Sequence, residues 1–137
     1  MSTVRITGLV KQFGGVTAVD NISITAEEGQ LTTLLGPSGC GKTTTLRMVA
    51  GLEGPDAGEI SIGPDLVAAP GKNINISSEN RNIGMVFQSY AIWPHKSAFE
   101  NVAYPLRLRR MAKKEINDRV REVFSLLPVS YTHLRAH

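Results

Sequence analysis

Residues 36–44 carry the clearest chemistry in the chain. Gly36, Gly41, Lys42 and Thr43 stand in the order Gly-x-x-x-x-Gly-Lys-Thr, the spacing of a nucleotide phosphate loop. Glycines let the backbone take positive dihedrals and approach a ligand closely. Successive N–H groups can then converge on one hollow, an anion nest. A following helix adds the positive end of its dipole to the same place. Lys42 supplies a compact charge for the outer phosphates, and Thr43 offers a hydroxyl to the Mg²⁺ that accompanies them. Pro37, Ser38, Gly39 and Cys40 form the intervening loop and Thr44 continues the run, completing the candidate binding set. Four fixed positions coincide by chance in roughly a few per thousand chains of this size. Such a loop specifies a nucleoside triphosphate, but neither its base nor its use.

The elements that must position this loop are legible around it. LTTLLG, 31–36, reads as a strand running into the loop, and a helix is expected from Lys42 or Thr43 to about Leu52, with Leu46, Val49 and Ala50 inward. Gly51, Gly54 and Pro55 stop it. Val4 and Ile6, and then Ile22, Ile24 and Ala26, alternate with polar residues as strands do. KQFGG between them reads as a turn. EISIG and IGMVFQ, 83–88, read as further strands, and residues 63–82 mainly as loop. Ser97 and Glu100 have capping-box spacing, so a helix opens at Ser97, with Pro105 expected to kink or interrupt it. Ile116, Val120, Val123, Phe124 and Leu127 predict an amphipathic helix over 113–127.

Composition bounds what such a scaffold can be. The chain has 137 residues, enough for one domain with a core. Cys40 is the only cysteine, so no internal disulfide can form and the chain reads as cytosolic. No apolar run approaches the ~20 residues of a membrane helix, so any role at a membrane comes through partners. The net charge of +3 does not demand nucleic acid. The basic residues between Arg107 and Arg121 are interleaved with Glu115, Asp118 and Glu122, as on a solvated helix face, and no nucleic-acid partner is expected.

Three stretches, KQFGGVTAVDNIS, GPSGCGKTTTLRMVAGLEGPDAGEI and IGMVFQSYAIWPHKSAFENVAYPLRLR, together resemble the ATP-binding subunit of ABC importers, in the branch serving sugars, spermidine and putrescine, and ferric iron. The resemblance covers residues 1 to about 127. It implies an α/β, P-loop NTPase (ABC ATPase) core with N-terminal antiparallel strands and the start of a helical subdomain, truncated. It implies ATP and Mg²⁺ as cofactors, with Phe13 stacked on adenine and Ala18 packed beside the same ring. Gln88 matches the glutamine that helps bind Mg²⁺ and position the attacking water, so Lys42 and Gln88 are the candidate catalytic residues, and Thr43 and Gln88 the candidate metal ligands. The implied partners are a second ATPase subunit, membrane-spanning permease subunits and, indirectly, a solute-binding protein. Residues 89–102, including Tyr90, Ile92, Trp93 and His95, resemble the surface on which the permease docks. The implied location is cytoplasmic, peripheral on the inner face of the cell membrane.

Three parts of that machine are not found in the sequence: the LSGGQ-type signature, an apolar Walker B strand ending in Asp-Glu, and the switch histidine. Asp56, Asp65, Glu79, Glu115, Asp118 and Glu122 read as ordinary solvated charges and do not substitute for them. Residues 1–127 are therefore expected to be the N-terminal part of an ATPase domain that binds ATP without hydrolysing it. Residues 128–137, PVSYTHLRAH, read as a non-native tail in which His133 and His137 lack a third metal ligand. Two other readings share the loop. A soluble ABC ATPase of translation or DNA repair would not need the docking segment, and a small-molecule kinase would need an acceptor pocket.

Overall fold

A computed structural model describes residues 2–89 and 91–126. Tyr90, Leu127, His133, His137 and the rest of the expected tail lie outside the described residues. The chain divides into two units, residues 1–85 and 86–137.

Among the described residues, the first unit is a five-stranded antiparallel sheet with one α-helix and two single turns of 3-10 helix, Pro70–Lys72 and Ser78–Asn80. Strands β1 (Val4–Phe13), β2 (Val16–Ala26), β3 (Ala57–Ile62), β4 (Asp65–Ala69) and β5 (Ile74–Asn75) pair in the order β2-β1-β3-β4-β5. Helix α1 (Lys42–Ala50) lies in sequence between β2 and β3. β1 and β2 are longer than their alternation suggested. Lys11, Gln12 and Phe13 belong to β1, and only Gly14 and Gly15 turn the chain, both with positive φ, as a two-residue hairpin requires. Register shifts between Ile6 and Leu9 break the period of two, and Leu9 and Lys11 both turn inward. Bulges conceal a strand's length from a simple alternation count.

The core of this unit contains Ile6, Leu9, Val19, Met48, Ile60, Val67 and Ala68, with Ile22, Ile24, Val49 and Ile62 packed against it. α1 therefore turns Thr45, Met48 and Ala50 inward, while Leu46, expected inside, is exposed. Leu46 follows Thr45 by ~100° around the helix, off the face that Thr45 and Met48 define. The helix closes at Ala50 with a Schellman motif: Gly51 N–H donates to Met48 O at 3.2 Å and Leu52 N–H to Arg47 O at 3.0 Å.

Two expected strands and one expected loop fail. Residues 31–36 and 83–88 form no strand. Leu31, Leu35 and Val86 are almost wholly exposed, and no described strand pairs with either segment. A strand's ladder needs a neighbour to supply its hydrogen bonds. Residues 63–82 are not mainly loop, for β4 and β5 lie there and Val67, Ala68 and Ala69 are buried.

In the second unit α2 (Ala98–Leu108) and α3 (Lys113–Ser125) pack through Ala103, Ile116 and Val120, with Phe99, Val102, Leu106, Met111 and Phe124 around them. Val123, expected inside, is exposed. Pro105 does not interrupt α2. The capping box forms: Glu100 N–H donates to Ser97 Oγ at 3.2 Å, and Ser97 N–H to Glu100 Oε2 at 2.9 Å. The Ser97 N–H, and then the Ser97 hydroxyl, which also donates to Glu100 Oε2 at 2.9 Å, hold the Glu100 carboxyl below the usual range. Ser97→Ala is expected to destabilise this unit by about 1 kcal/mol, read as a lower denaturant midpoint with unchanged m-value.

Candidate functional site

The loop and its helix follow from local backbone chemistry. Gly41 caps α1 with φ 87° and ψ 0°, a left-handed conformation that side chains resist. A Cβ there would also collide with the Ala18 carbonyl oxygen and come within 3.1 Å of Val19 Cγ2. Glycine is thus required twice over, and the contact brings Ala18 to the loop. Gly41 O accepts from Thr45 N–H at 2.8 Å and from Thr45 Oγ1 at 2.9 Å. Thr45 is buried, so its hydroxyl steadies the first turn.

No side chain caps this helix end. The first-turn amides of Lys42, Thr43 and Thr44 have no partner within a helix, and they are available to an anion. Lys42 curls back over the loop, its Nζ donating to Gly36 O and Pro37 O, both at 2.7 Å, with Cys40 Sγ at 3.4 Å. Cys40 N–H donates to Pro37 O at 3.4 Å. Gly36 lies so close to Cys40 that an added Cβ would stand 2.6 Å from the sulfur. The loop is a tight ring closed by an ammonium. Ser38 and Gly39 are exposed at its tip, and Thr43 is exposed one residue beyond Lys42. The Thr43 hydroxyl is the kind of hard oxygen donor that Mg²⁺ takes beside phosphates.

Phe13 is half-exposed at the end of β1, paired with Val16. Ala18, two residues further along β2, is the residue against Gly41, so one end of the hairpin adjoins the loop. Lys11 Nζ stands over the Phe13 ring, 5.1 Å from its centroid. The same ammonium reaches Glu53 Oε1 at 2.9 Å, Asp56 Oδ1 at 3.3 Å and Gly54 O at 2.8 Å. Asp56 Oδ2 accepts from Gln12 N–H at 2.7 Å. Asp56, expected to be merely solvated, ties β1 to the connection after α1. The Gln12 bond, then Lys11, hold its carboxyl below the ordinary range. Glu53, foremost, and Asp56 hold the Lys11 ammonium above its own, against desolvation. The lowered acid contributes stability above the carboxylate range, lost as pH falls through its folded pKa. The raised base contributes below the lysine range, lost as pH rises through its folded pKa. The tie is whole between those limits.

Gln88 falls in the second unit and is exposed. Nearby in sequence, Ile92 and Trp93 are about half-exposed. Trp93 contacts the rings of His95 and Tyr104, with centroids 6.0 and 5.9 Å away. Asn101 pins this segment to α2. Its Oδ1 accepts from Trp93 N–H at 2.8 Å, and its Nδ2 donates to Trp93 O, Lys96 O and Ser97 O at 3.2, 3.1 and 3.0 Å.

Sequence reasoning missed Lys11, Thr45, Arg81 and Asn101. Arg81 is buried and spends its guanidinium on neutral acceptors: Ile76 O at 2.7 Å, Met48 O at 2.6 Å, Val49 O at 3.0 Å, Val67 O at 3.3 Å and Asn75 Oδ1 at 3.0 Å. Burial lowers its pKa. Met48 and Val49 carry carbonyls of the last turn of α1, where a cation meets the negative end of the helix dipole. No local pattern marks Arg81, whose partners lie up to 33 residues away.

This fold and loop define an ATP-binding cassette. The sequence profile of the ABC transporter family matches residues 19–136, and the chain belongs to that family. Among its relatives is the trehalose/maltose import ATP-binding protein MalK of Thermococcus litoralis, 54% identical over 127 residues, covering 93% of this chain and 34% of that protein. The Fe(3+) ions import ATP-binding protein FbpC 1 of Rhizobium meliloti is 51% identical, covering 87% and 32%. The spermidine/putrescine import ATP-binding protein PotA of Nitrosospira multiformis is 47% identical, covering 90% and 32%. The chain thus spans about a third of the length of these relatives. Among solved structures, the ATP-binding cassette MJ0796, a dimer in a post-hydrolysis state bound to ADP and Pi, superposes with a TM-score of 0.79 at 26% identity, covering 98% of this chain and 60% of that one.

Proposed function

We propose that this chain is the nucleotide-binding part of an ATP-binding subunit that energises solute import by an ABC transporter. The observation that carries the proposal is Lys42. In a member of this family, its ammonium closes a glycine loop at the uncapped N-terminus of α1. The loop amides and Lys42 take the triphosphate of ATP. Thr43 offers an oxygen to Mg²⁺, which when bound neutralises charge on the phosphates. Phe13 and Ala18 take the adenine.

The partners are a second ATPase subunit, permease subunits and, through them, a solute-binding protein. The import relatives and the dimeric cassette support this, as does the half-exposed Ile92 and Trp93 beside a segment fixed by Asn101. No described helix is long and apolar enough to cross a membrane, which fits a subunit held peripherally at the inner face by its permease. The chain binds Mg·ATP without turning it over, since the sequence offers no carboxylate placed to activate water. Titrating the purified chain with Mg·ATP while monitoring phosphate release tests both parts. Saturable binding without release is expected. No binding overturns the loop assignment, and release above a Lys42→Ala control overturns the absence of turnover.

A further inference from the structure

We propose that Lys11 is a positioning residue for the nucleobase, covering one face of the Phe13 ring and reserving the other for the base. The proposal rests on the reading that Phe13 stacks on the nucleobase. Three oxygens, on Glu53, Gly54 and Asp56, surround the Lys11 ammonium within 3.3 Å, and an ammonium has three N–H bonds to give. The charge is therefore held in place, with the Phe13 ring on a further side at 5.1 Å. A cation over an aromatic face is attracted to the ring's quadrupole, which fixes the plane of the ring. It also closes that face to a second π-system. Phe13 keeps 47% of its surface exposed, which leaves room for a base on the opposite side.

The same ammonium fixes a distance. Glu53 and Gly54 lie just beyond the C-terminal end of α1, whose N-terminal end is the phosphate loop. Through Lys11 the aromatic platform on β1 and the phosphate helix share one frame. A nucleotide must satisfy both ends at once, so Lys11 sets how well the base and the triphosphate fit together.

The test separates base binding from phosphate binding in the full chain. Mg·ATP and Mg·tripolyphosphate, which has no base, are titrated into wild type, Phe13→Ala, Lys11→Met, Lys11→Arg and Glu53→Gln, with melting temperatures as a check on folding. Wild type is expected to prefer ATP by roughly tenfold or more, the size of one base stacked on an aromatic ring. Phe13→Ala should abolish that preference. Lys11→Met should reduce it at least about threefold and leave tripolyphosphate affinity unchanged, while Lys11→Arg keeps it. Glu53→Gln, which loosens the ammonium without removing it, should shift the preference the same way as Lys11→Met, and it decides the matter if that variant does not fold. Equal weakening of both ligands would make Lys11 a structural tie only and overturn the proposal, as would an unchanged preference in Lys11→Met or, where it does not fold, in Glu53→Gln. An intact preference in Phe13→Ala overturns the proposal together with the base-stacking reading beneath it. Failure of wild type to bind either ligand overturns the phosphate loop itself.

Discussion

Arg81→Leu is expected to lower the stability of the first unit by about 3 kcal/mol or more, and its melting temperature by more than about 10 °C. The leucine fills part of the volume but donates nothing. Five oxygens lose a charged donor at once, from α1, β4, β5 and Ile76. Two of them keep a second partner, since Val67 O also accepts from Ile76 N–H and Met48 O from Gly51 N–H. The loss is therefore smaller than five independent bonds. Val49 O remains at the negative end of α1 with no cation beside it. Domains of this size have total stabilities of about 5–15 kcal/mol, so the variant should lose a large share of its margin and still be mainly folded at ambient temperature. Arg81→Lys should fall between the two, because a single ammonium cannot reproduce the planar fork that reaches several elements. Circular dichroism melts of the three proteins check the order. A Leu variant within about 1 kcal/mol of wild type would mean that water replaces the guanidinium.

The contrast between Arg81 and Lys42 explains which parts of the molecule the sequence reveals. The phosphate loop, the α1 stop at Gly51 and the Ser97 capping box are each encoded within a few consecutive residues. Their chemistry is local, and spacing suffices to find them. Arg81 reaches partners as far as 33 residues away and Lys11 and Asp56 meet across 45, and nothing beside them in the chain announces it. Strands fall between these cases. Leu31 and Leu35 have the apolar character of a buried strand and yet stand exposed, because a strand is completed by its neighbour. β4 was hidden for the opposite reason: Leu66, Val67, Ala68 and Ala69 form a short buried run inside a stretch of Gly, Pro, Asn and Ser that reads as loop. Asn101 shows a further limit. Its sequence position one residue past Glu100 is plain, but its four bonds to the 93–97 segment depend on how that segment folds back.

Lys42→Ala should cut affinity for Mg·ATP by roughly 10- to 100-fold, the range of a charge-assisted hydrogen bond lost from a bound anion. Without nucleotide the substitution should change the melting temperature little. The bonds that Lys42 makes to Gly36 O and Pro37 O are at an exposed loop, where water can take over both carbonyls. The two effects separate in one experiment. At a ligand concentration near 100 times the wild-type Kd, bound nucleotide adds about 2.7 kcal/mol to wild-type stability. The variant should gain less than about half of that. Raising the salt concentration should weaken wild-type binding more than that of the variant, because the variant has one fewer charge facing the phosphates. Equal nucleotide-dependent stabilisation of both proteins would mean that the ammonium does not meet the triphosphate, and that its only role is to hold the empty ring of the loop together.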